Sequence, residues 1–424
     1  MLVALLLAAA AYGFVRGPAR AWRGTIDLDV FYSASRAWLL GTNPYDNANL
    51  NAVFRAAGGE KPLDLSLNPP VTFVVLAPLA ALPWGVAEKA WTLLNVLLTG
   101  LCLLVGASLA GLRLGQRRTT FFLAFALALA PFHTAISQGQ LTVVVTALVV
   151  LALAADLRGR AALAGVALGL ATAMKPQMGL LFLLLELARL RWRALVGAAG
   201  TLALLAGVAV GRMALAGVDW LPSWQESLAT FTRGGTGDPT ARNPASSLMI
   251  NLHVVLHSFV ERRWVVNLVV IAFVLLTGAL ALSARRVRGP RFVLLDYSLA
   301  GVLSLLAFYN RFYSATLLVL PLVWSVASLA DRSLKRTAAV VMLSIVPFVV
   351  PSAAVMNSLV REGPLGDLAG NPWWRLLGFH EVYALLVLAV ALVRAGQAPA
   401  TSCGAGPAAG GTAPLPLPYS FSRL

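Results

Sequence analysis

Charged residues make up only 12% of this 424-residue chain, and acidic ones are the rarer kind, 17 Asp and Glu against 33 Lys and Arg. An average soluble domain carries about 25% charged residues. So thin a charged surface excludes a water-soluble globular enzyme. Cysteine is nearly absent. Cys102 lies in an apolar run and Cys403 in a tail of small residues, which leaves neither a disulfide framework nor a cysteine metal cluster. No segment alternates apolar and polar residues in the way an outer-membrane barrel requires. The four histidines are scattered. His253 and His257 share a helix face, but no carboxylate stands at zinc-site spacing, so no metal site is expected. Nor is there a phosphate-cradling glycine loop of the nucleotide type, or a soluble domain large enough for a nucleotide sugar, and no cofactor is expected.

What the chain has in abundance is apolar length. Hydrophobic residues reach 59% and the mean hydropathy is +0.79. A helix needs about 20 apolar residues to cross a bilayer, fewer when partly enclosed by protein. On that basis the fold class is an all-α polytopic membrane protein with about 12 transmembrane helices, in a range of 10 to 13. The spans fall near 1–15, 84–110, 121–136, 140–155, 161–174, 177–190, 194–216, 264–283, 292–308, 314–330, 337–352 and 378–395. The stretch from Pro69 to Pro83 is apolar but broken by prolines and reads as a half-buried or re-entrant helix leading into the next span. Gly165 and Gly169, four apart, read as a helix-packing pair. The chain then divides into a transmembrane domain, 1–395, and an Ala-, Gly- and Pro-rich tail, 396–424, expected to be disordered.

The net charge of +16 would raise nucleic acid as a partner for a soluble protein. Here the basic residues cluster between apolar runs, as in membrane proteins with anchored cytoplasmic loops, and no nucleic acid is expected. Arg113/Arg117/Arg118, Arg158/Arg160, Arg189/Arg191/Arg193, Arg285/Arg286/Arg288/Arg291 and Arg332/Lys335/Arg336 all fall on one side of the span count. That side is read as cytoplasmic. One signal disagrees: Arg16, Arg20 and Arg23 follow the first span on the outer side. The first run is read as a span because no small-residue cleavage site follows it convincingly. The outer side then receives three long loops, at about 16–70, 217–263 and 353–377. It also receives the connections at Gln138-Gly139-Gln140, Lys175-Pro176-Gln177 and Asn310-Arg311-Phe312-Tyr313. All carboxylates except Asp156, Glu186, Asp296 and Asp331 lie on that face, which makes it the expected site of chemistry.

In the first outer loop, Asp27-Leu28-Asp29 opens a run from Val30 to Leu40 that suits an amphipathic interfacial helix, ended by Gly41 and the turn residues Asn43-Pro44-Tyr45. Two carboxylates at such a start can act chemically or simply cap the helix. Lys175 before Pro176 is a cation at a helix end, able to neutralise a phosphate at the membrane boundary or to snorkel. Arg311, between Tyr309 and Phe312-Tyr313, repeats that arrangement, and an aromatic belt explains it equally well.

Four segments, in order and spacing, resemble a bacterial family of membrane glycosyltransferases with the C-type fold. They are Asp27-Leu28-x-Val30-Phe31-Tyr32 with Gly41-x-Asn43-Pro44-Tyr45, and Asn68-Pro69-Pro70 running through Ala77-Pro78-Leu79 to Trp91. The others are Gly139-Gln140 with Ala164-Gly165 and Lys175-Pro176, and Tyr309-Asn310-Arg311-Phe312-Tyr313 running into Leu320-Pro321-Leu322. The family's members include polyprenol-phosphate-mannose-dependent α-mannosyltransferases and related arabinofuranosyltransferases, and the likeness covers about Asp27 to Trp324. It implies an enzyme of the bacterial cytoplasmic membrane with an outward-facing site. That enzyme would move a sugar, mannose in the first instance, from a polyprenyl-phosphate donor to a lipid or glycan acceptor by inverting single displacement. The resemblance makes Asp27, rather than Asp29, the catalytic base. It makes Lys175 and Arg311 the donor-phosphate cations. Asp29, Tyr32, Arg36, Tyr45, Asn68, Gln140, Asn310 and Tyr313 are its candidates for substrate contact. The chain departs from the pattern at Asn310 and Ser314, where the family often has His and Asp.

The chemistry agrees with the resemblance. A polyprenyl phosphate leaves without a general acid, so a single carboxylate base is enough. A hydrolase would want two opposed carboxylates. A transporter or flippase for a lipid-linked sugar is the alternative, but no internal repeat is visible and the ionisable residues gather at span ends rather than mid-membrane. A non-catalytic scaffold of an envelope complex is a third reading.

Overall fold

The computed structural model describes residues 1–113, 115–243, 245–283, 290–361 and 376–397. Most of the expected third outer loop, the arginines at 285, 286 and 288, and the tail beyond Gln397 lie outside them. The chain opens with α1 (Leu2–Arg16) and the single turn α2 (Pro18–Ala21), then the first-loop helices α3 (Leu28–Leu40), α4 (Asn47–Ala56) and α5 (Pro70–Ala80). The central run is α6 (Trp84–Leu109), α7 (Arg117–Ala128), α8 (Ala130–Gln138), α9 (Thr142–Leu157), α10 (Ala161–Met174), α11 (Pro176–Ala188) and α12 (Trp192–Leu215). The second loop carries α13 (Leu221–Thr232) and α14 (Leu252–Leu256). After it come α15 (Arg263–Ser283), α16 (Pro290–Ala307), and a 3-10 segment, Phe312–Leu318, that continues as α17 (Val319–Ser328). The last helices are α18 (Lys335–Ile345), α19 (Ser352–Arg361) and α20 (His380–Gln397). No strand occurs among the described residues, only one antiparallel backbone bridge between Met249 and Arg311.

Every stretch expected to span is helical, but the helices are of two kinds. Among the described residues six are long and apolar enough to cross a membrane, or seven if the pair α7–α8, bent by 45°, is one span. The chain is an all-α polytopic membrane protein on that count. The remaining expected spans are shorter. α10, with 14 residues, reaches about 21 Å against a hydrocarbon core of about 30 Å. The division follows position: α1, α12 and α15 bury few residues and turn apolar side chains outward, whereas α9 is buried nearly all round. A helix apolar on every face belongs either in lipid or in the middle of a protein, and both occur here.

Local sequence explains the breaks. Pro69 and Pro70 start α5, where a missing N–H costs nothing, and α5 packs against α3 and α12, the half-buried helix that the prolines predict. At Gly165 a Cβ would fall on the Ala194 carbonyl oxygen, and at Gly169 it would lie 3.0 Å from Ala198 Cα. α10 and α12 therefore touch backbone to backbone, as the glycine spacing implies. α3 is covered more completely than an interfacial helix needs to be. Tyr32, Trp38, Tyr45, Phe54, Phe73 and Met213 form a second apolar cluster around it, and Trp38 Nε1 donates to the Ala209 carbonyl of α12 at 3.0 Å.

At the ends of α9 and α11 away from Gln140 and Lys175, two of the arginines read as loop anchors turn inward. Arg189 bonds Asp156 at 2.9 Å and Glu186 at 3.2 Å, Arg191 also holds Asp156, and Tyr297 donates to Glu186 at 3.2 Å. Asp156 and Glu186 are almost wholly enclosed. Removing one partner of such a group strands the others. Asp156→Ala should destabilise the protein by about 3–5 kcal/mol, read as a lower melting temperature in detergent. An unchanged melting temperature would mean that the cluster does not clamp α9 to α11.

Candidate functional site

Four connections that are far apart in sequence converge at one end of the helices: the turn before α3, the α8–α9 junction, the α10–α11 junction and the segment after α16. Gly139 makes the first convergence. It ends α8 in the left-handed conformation with φ 72°, which glycine adopts without strain. Its carbonyl accepts from Trp91 Nε1 at 3.0 Å. The neighbouring Gln138 carbonyl accepts from the N–H groups of Ile26 and Asp27, at 3.3 and 2.9 Å. A Cβ on Gly139 would lie 2.6 Å from Leu28 Cβ and 3.0 Å from Thr25 Cβ. Gly139→Ala should therefore push the Asp27 turn off α8. A misplacement of about 1 Å at a reacting group can cost about 10²-fold, so the expected result is a comparable loss of turnover with the protein still inserted. Wild-type rates in Gly139→Ala would sink that reading.

The turn is fastened on its other flank as well. Glu88 of α6 accepts from Thr25 N at 2.7 Å and Thr25 Oγ1 at 2.9 Å. Lys61 donates to the carbonyls of Thr25 and Ile26 at 2.8 and 3.3 Å and pairs with Asp29 at 2.6 Å. Asp29 is buried, and its Oδ1 accepts from Val30 N at 2.8 Å. Its carboxylate is fully engaged. Asp27 stands at the cap position of α3 but caps nothing. Its Oδ2 instead accepts from Gln140 Nε2 at 2.5 Å, and the side chain is half-buried.

Lys175 completes the pair. A residue before proline is driven out of the helical region, and Lys175, at φ −145° and ψ 86°, ends α10 while Pro176 starts α11. Its Nζ lies 4.7 Å from the Tyr313 ring centroid and donates to Gln140 Oε1 at 3.3 Å. With 8% of its surface exposed, this ammonium has an amide and a ring face for company but no carboxylate at ion-pair distance among the described residues. A buried cation so placed is electrostatically incomplete. Arg311 is half-buried; its Nη2 donates to the Thr236 carbonyl at 3.3 Å, while its buried Nε–H has no partner. Thr236 belongs to the second long loop, which the Met249–Arg311 bridge and the bond from Ile250 N to the Asn310 carbonyl, 2.9 Å, hold against this segment.

Burial raises the Asp27 carboxyl above the ordinary aspartate range, opposed by the Gln140 hydrogen bond and the charges of Lys175, Arg311 and Lys61. Burial also pushes the Lys175 ammonium down to about 7, with Asp27 opposing the fall and Arg311 adding to it. A carboxylate raised towards neutrality is better matched to accepting a proton at working pH than an ordinary aspartate.

Of the residues picked out in the sequence, Asp27, Gln140, Lys175, Arg311 and Tyr313 come together here. Others are turned to packing. Tyr32 donates to the Leu82 carbonyl at 2.6 Å and Arg36 to the Ala80 carbonyl at 2.8 Å, pinning α3 to the end of α5. The Tyr45 hydroxyl donates to the Asn68 backbone carbonyl at 2.7 Å, beside the rings of Phe73, Trp220 and Trp224. Asn310 is buried; its Nδ2 donates to the Ser304 carbonyl at 2.9 Å and its Oδ1 has no partner. Glu88, Lys61 and Thr236 were not picked out in the sequence. Only Lys61, a lone cation in a polar loop, carried even a faint signal. Among the described residues no three His, Cys, Asp or Glu side chains gather as a metal site would need.

The profile of a known family, glycosyltransferase family 87, matches residues 67–308. That stretch holds Gln140 and Lys175 and ends before Arg311; Asp27 precedes it. No curated protein and no solved structure matches the chain.

Proposed function

The chain belongs to glycosyltransferase family 87 and is a membrane glycosyltransferase, and from that premise we propose that it takes its sugar from a polyprenyl phosphate. The sugar, mannose in this reading, passes to a lipid or glycan acceptor at the outer face of the bacterial cytoplasmic membrane. The observation that carries the proposal is the Asp27–Gln140–Lys175 chain, a base and an under-compensated buried cation held apart by one amide. Asp27 takes the proton of the acceptor hydroxyl as that oxygen attacks the anomeric carbon. The polyprenyl phosphate leaves from the opposite face, so the configuration inverts. Lys175 and the free Nε–H of Arg311 take up the charge that grows on the departing phosphate. The outward orientation rests on the arginine clusters at 113–118, 158–160, 189–193 and 332–336, which adjoin helix ends remote from Asp27.

The test is transfer of radiolabel from polyprenyl-phosphate mannose into membrane material, with wild type and Asp27→Asn side by side. Label with wild type alone supports both the donor and the base. Label with neither, while a pentose-phosphate lipid does label, would move the donor sugar from hexose to pentose.

The two ionisations give a pH signature. Transfer needs Asp27 unprotonated and Lys175 protonated. The rate should rise as pH climbs through the raised pKa of Asp27 and fall as it passes about 7, where Lys175 loses its charge. Lys175→Arg keeps the cation charged at any working pH and should remove the alkaline fall. An unchanged alkaline limb in that variant would unseat Lys175.

A further inference from the structure

Asp27 and Asp29 stand two residues apart at the start of α3, and two carboxylates so close resist ionising together. Asp27 can ionise at working pH only if Asp29 keeps a proton or a cation answers its charge. Asp29 bonds as an ionised group does, with both oxygens accepting: Oδ1 from Val30 N at 2.8 Å, Oδ2 from Lys61 at 2.6 Å. The Lys61 ammonium also donates to the carbonyls of Thr25 and Ile26, at 2.8 and 3.3 Å. Its three protons therefore meet three oxygens, all on the turn that carries Asp27.

The other charged groups around the turn are committed elsewhere. Lys175 and Arg311 lie on the Gln140 flank, and a donor phosphate bound there would take up their charge while adding its own negative charge opposite Asp27. Tyr309 and Tyr313, on that same flank, are neutral at working pH. On the opposite flank Glu88 accepts from Thr25 and carries the wrong sign to help. Lys61 alone among these groups is a cation remote from the phosphate side. Burial raises the Asp29 carboxyl and Lys61 opposes that rise; the charge of Lys61 opposes the rise of Asp27 as well.

We infer that Lys61 is a positioning residue of the transfer reaction: it neutralises Asp29 and holds the two carbonyls ahead of Asp27, leaving Asp27 able to take the acceptor's proton. The role rests on the reading of Asp27 as the base. It gives a use to a residue of the 57–69 loop that the transfer chemistry does not otherwise touch.

The pH profile of turnover tests it. Lys61→Met leaves Asp29 unanswered beside the base, so the acid limb should move up by about one pH unit. The alkaline limb near pH 7 belongs to Lys175 and should stay, so the profile narrows and the loss is greatest on the acid side. Donor KM should remain within about twofold, since Lys61 touches no donor group. Asp29→Asn alone should move the acid limb down. Lys61→Met with Asp29→Asn removes both charges and should return the limb close to wild type, and Lys61→Arg should keep it there. The double variant lacks the same carbonyl bonds as Lys61→Met, so a merely structural strap would leave the two equally impaired. That result, or a wild-type profile in Lys61→Met, would overturn the inference. A second measurement needs no turnover. With Asp27→Cys in a Cys403→Ser background, where Cys102 is buried, the rate of modification by neutral methyl methanethiosulfonate reports the thiolate fraction at position 27. Adding Lys61→Met should raise its midpoint by about half to one pH unit, and adding Asp29→Asn to that should reverse the rise. An unmoved midpoint counts against Lys61. If the wild type transfers from no polyprenyl-phosphate sugar yet the midpoint moves, the donor reading fails and the electrostatic role of Lys61 stands.

Discussion

Asp27→Asn should lower turnover by about 10²–10⁴-fold, the usual range for a lost general base, while the donor KM stays near wild type. The side chain caps no helix and carries no ion pair among the described residues, so little of the fold depends on its charge. Asparagine keeps the shape but offers no basic oxygen to the acceptor hydroxyl. One consequence separates chemistry from architecture. Gln140 Nε2 can still donate to the amide oxygen of the substituted side chain, so the turn should stay in place and the melting temperature should hardly move. Asp29→Asn should behave in the opposite way. Asp29 is buried against Lys61 and Val30 N, so losing its charge weakens the clamp on the turn. It should lower the melting temperature and leave transfer within about tenfold of wild type, since no proton passes through it. Full activity in Asp27→Asn, or a larger loss in Asp29→Asn, would reverse the two assignments.

Lys175→Met should lose activity and gain stability together. The ammonium is buried with no carboxylate at ion-pair distance among the described residues, and an apolar group of similar length avoids the desolvation penalty of a buried, poorly compensated charge. The same charge is what a leaving phosphate requires. Removing one electrostatic contact to developing charge typically costs about 10²–10³-fold in turnover. The expected pair is thus a higher melting temperature in detergent and a transfer rate down by that factor. Arg311→Met should show a smaller version, because Arg311 is already tied to the Thr236 carbonyl. A Lys175→Met protein both less stable and fully active would show that the lysine is a packing residue snorkelling from a helix end.

The α8–α9 turn shows how far the sequence could be read. Gly139-Gln140 stands out between two apolar runs, and a glycine ending a helix is legible from local physics alone. That Gln140 would lie within hydrogen-bonding distance of both Asp27 and Lys175, 113 and 35 residues away, is not. Arg36 and Tyr45 illustrate the reverse. A polar side chain in such a loop looks available for substrate, and here Arg36 donates to the Ala80 carbonyl at the end of α5 and Tyr45 to the Asn68 carbonyl.

What the sequence determined by itself is whatever depends on composition and nearest neighbours. Long apolar runs must be helices in a bilayer because no water is present to satisfy their backbone. Prolines and glycines fix where those helices break, arginine clusters fix which ends share a side, and the reading of the chain as a membrane glycosyltransferase follows from short motifs in order. Only the tertiary structure decided which carboxylate pairs with a cation and which with a neutral amide, because both stand at the start of the same helix. Lys61 comes from a loop 34 residues beyond Asp27 and takes one of them. Gln140, across the bundle, takes the other. Partner choice between two like charges is a matter of which remote side chains the packing brings within about 3 Å, and no local pattern encodes that distance.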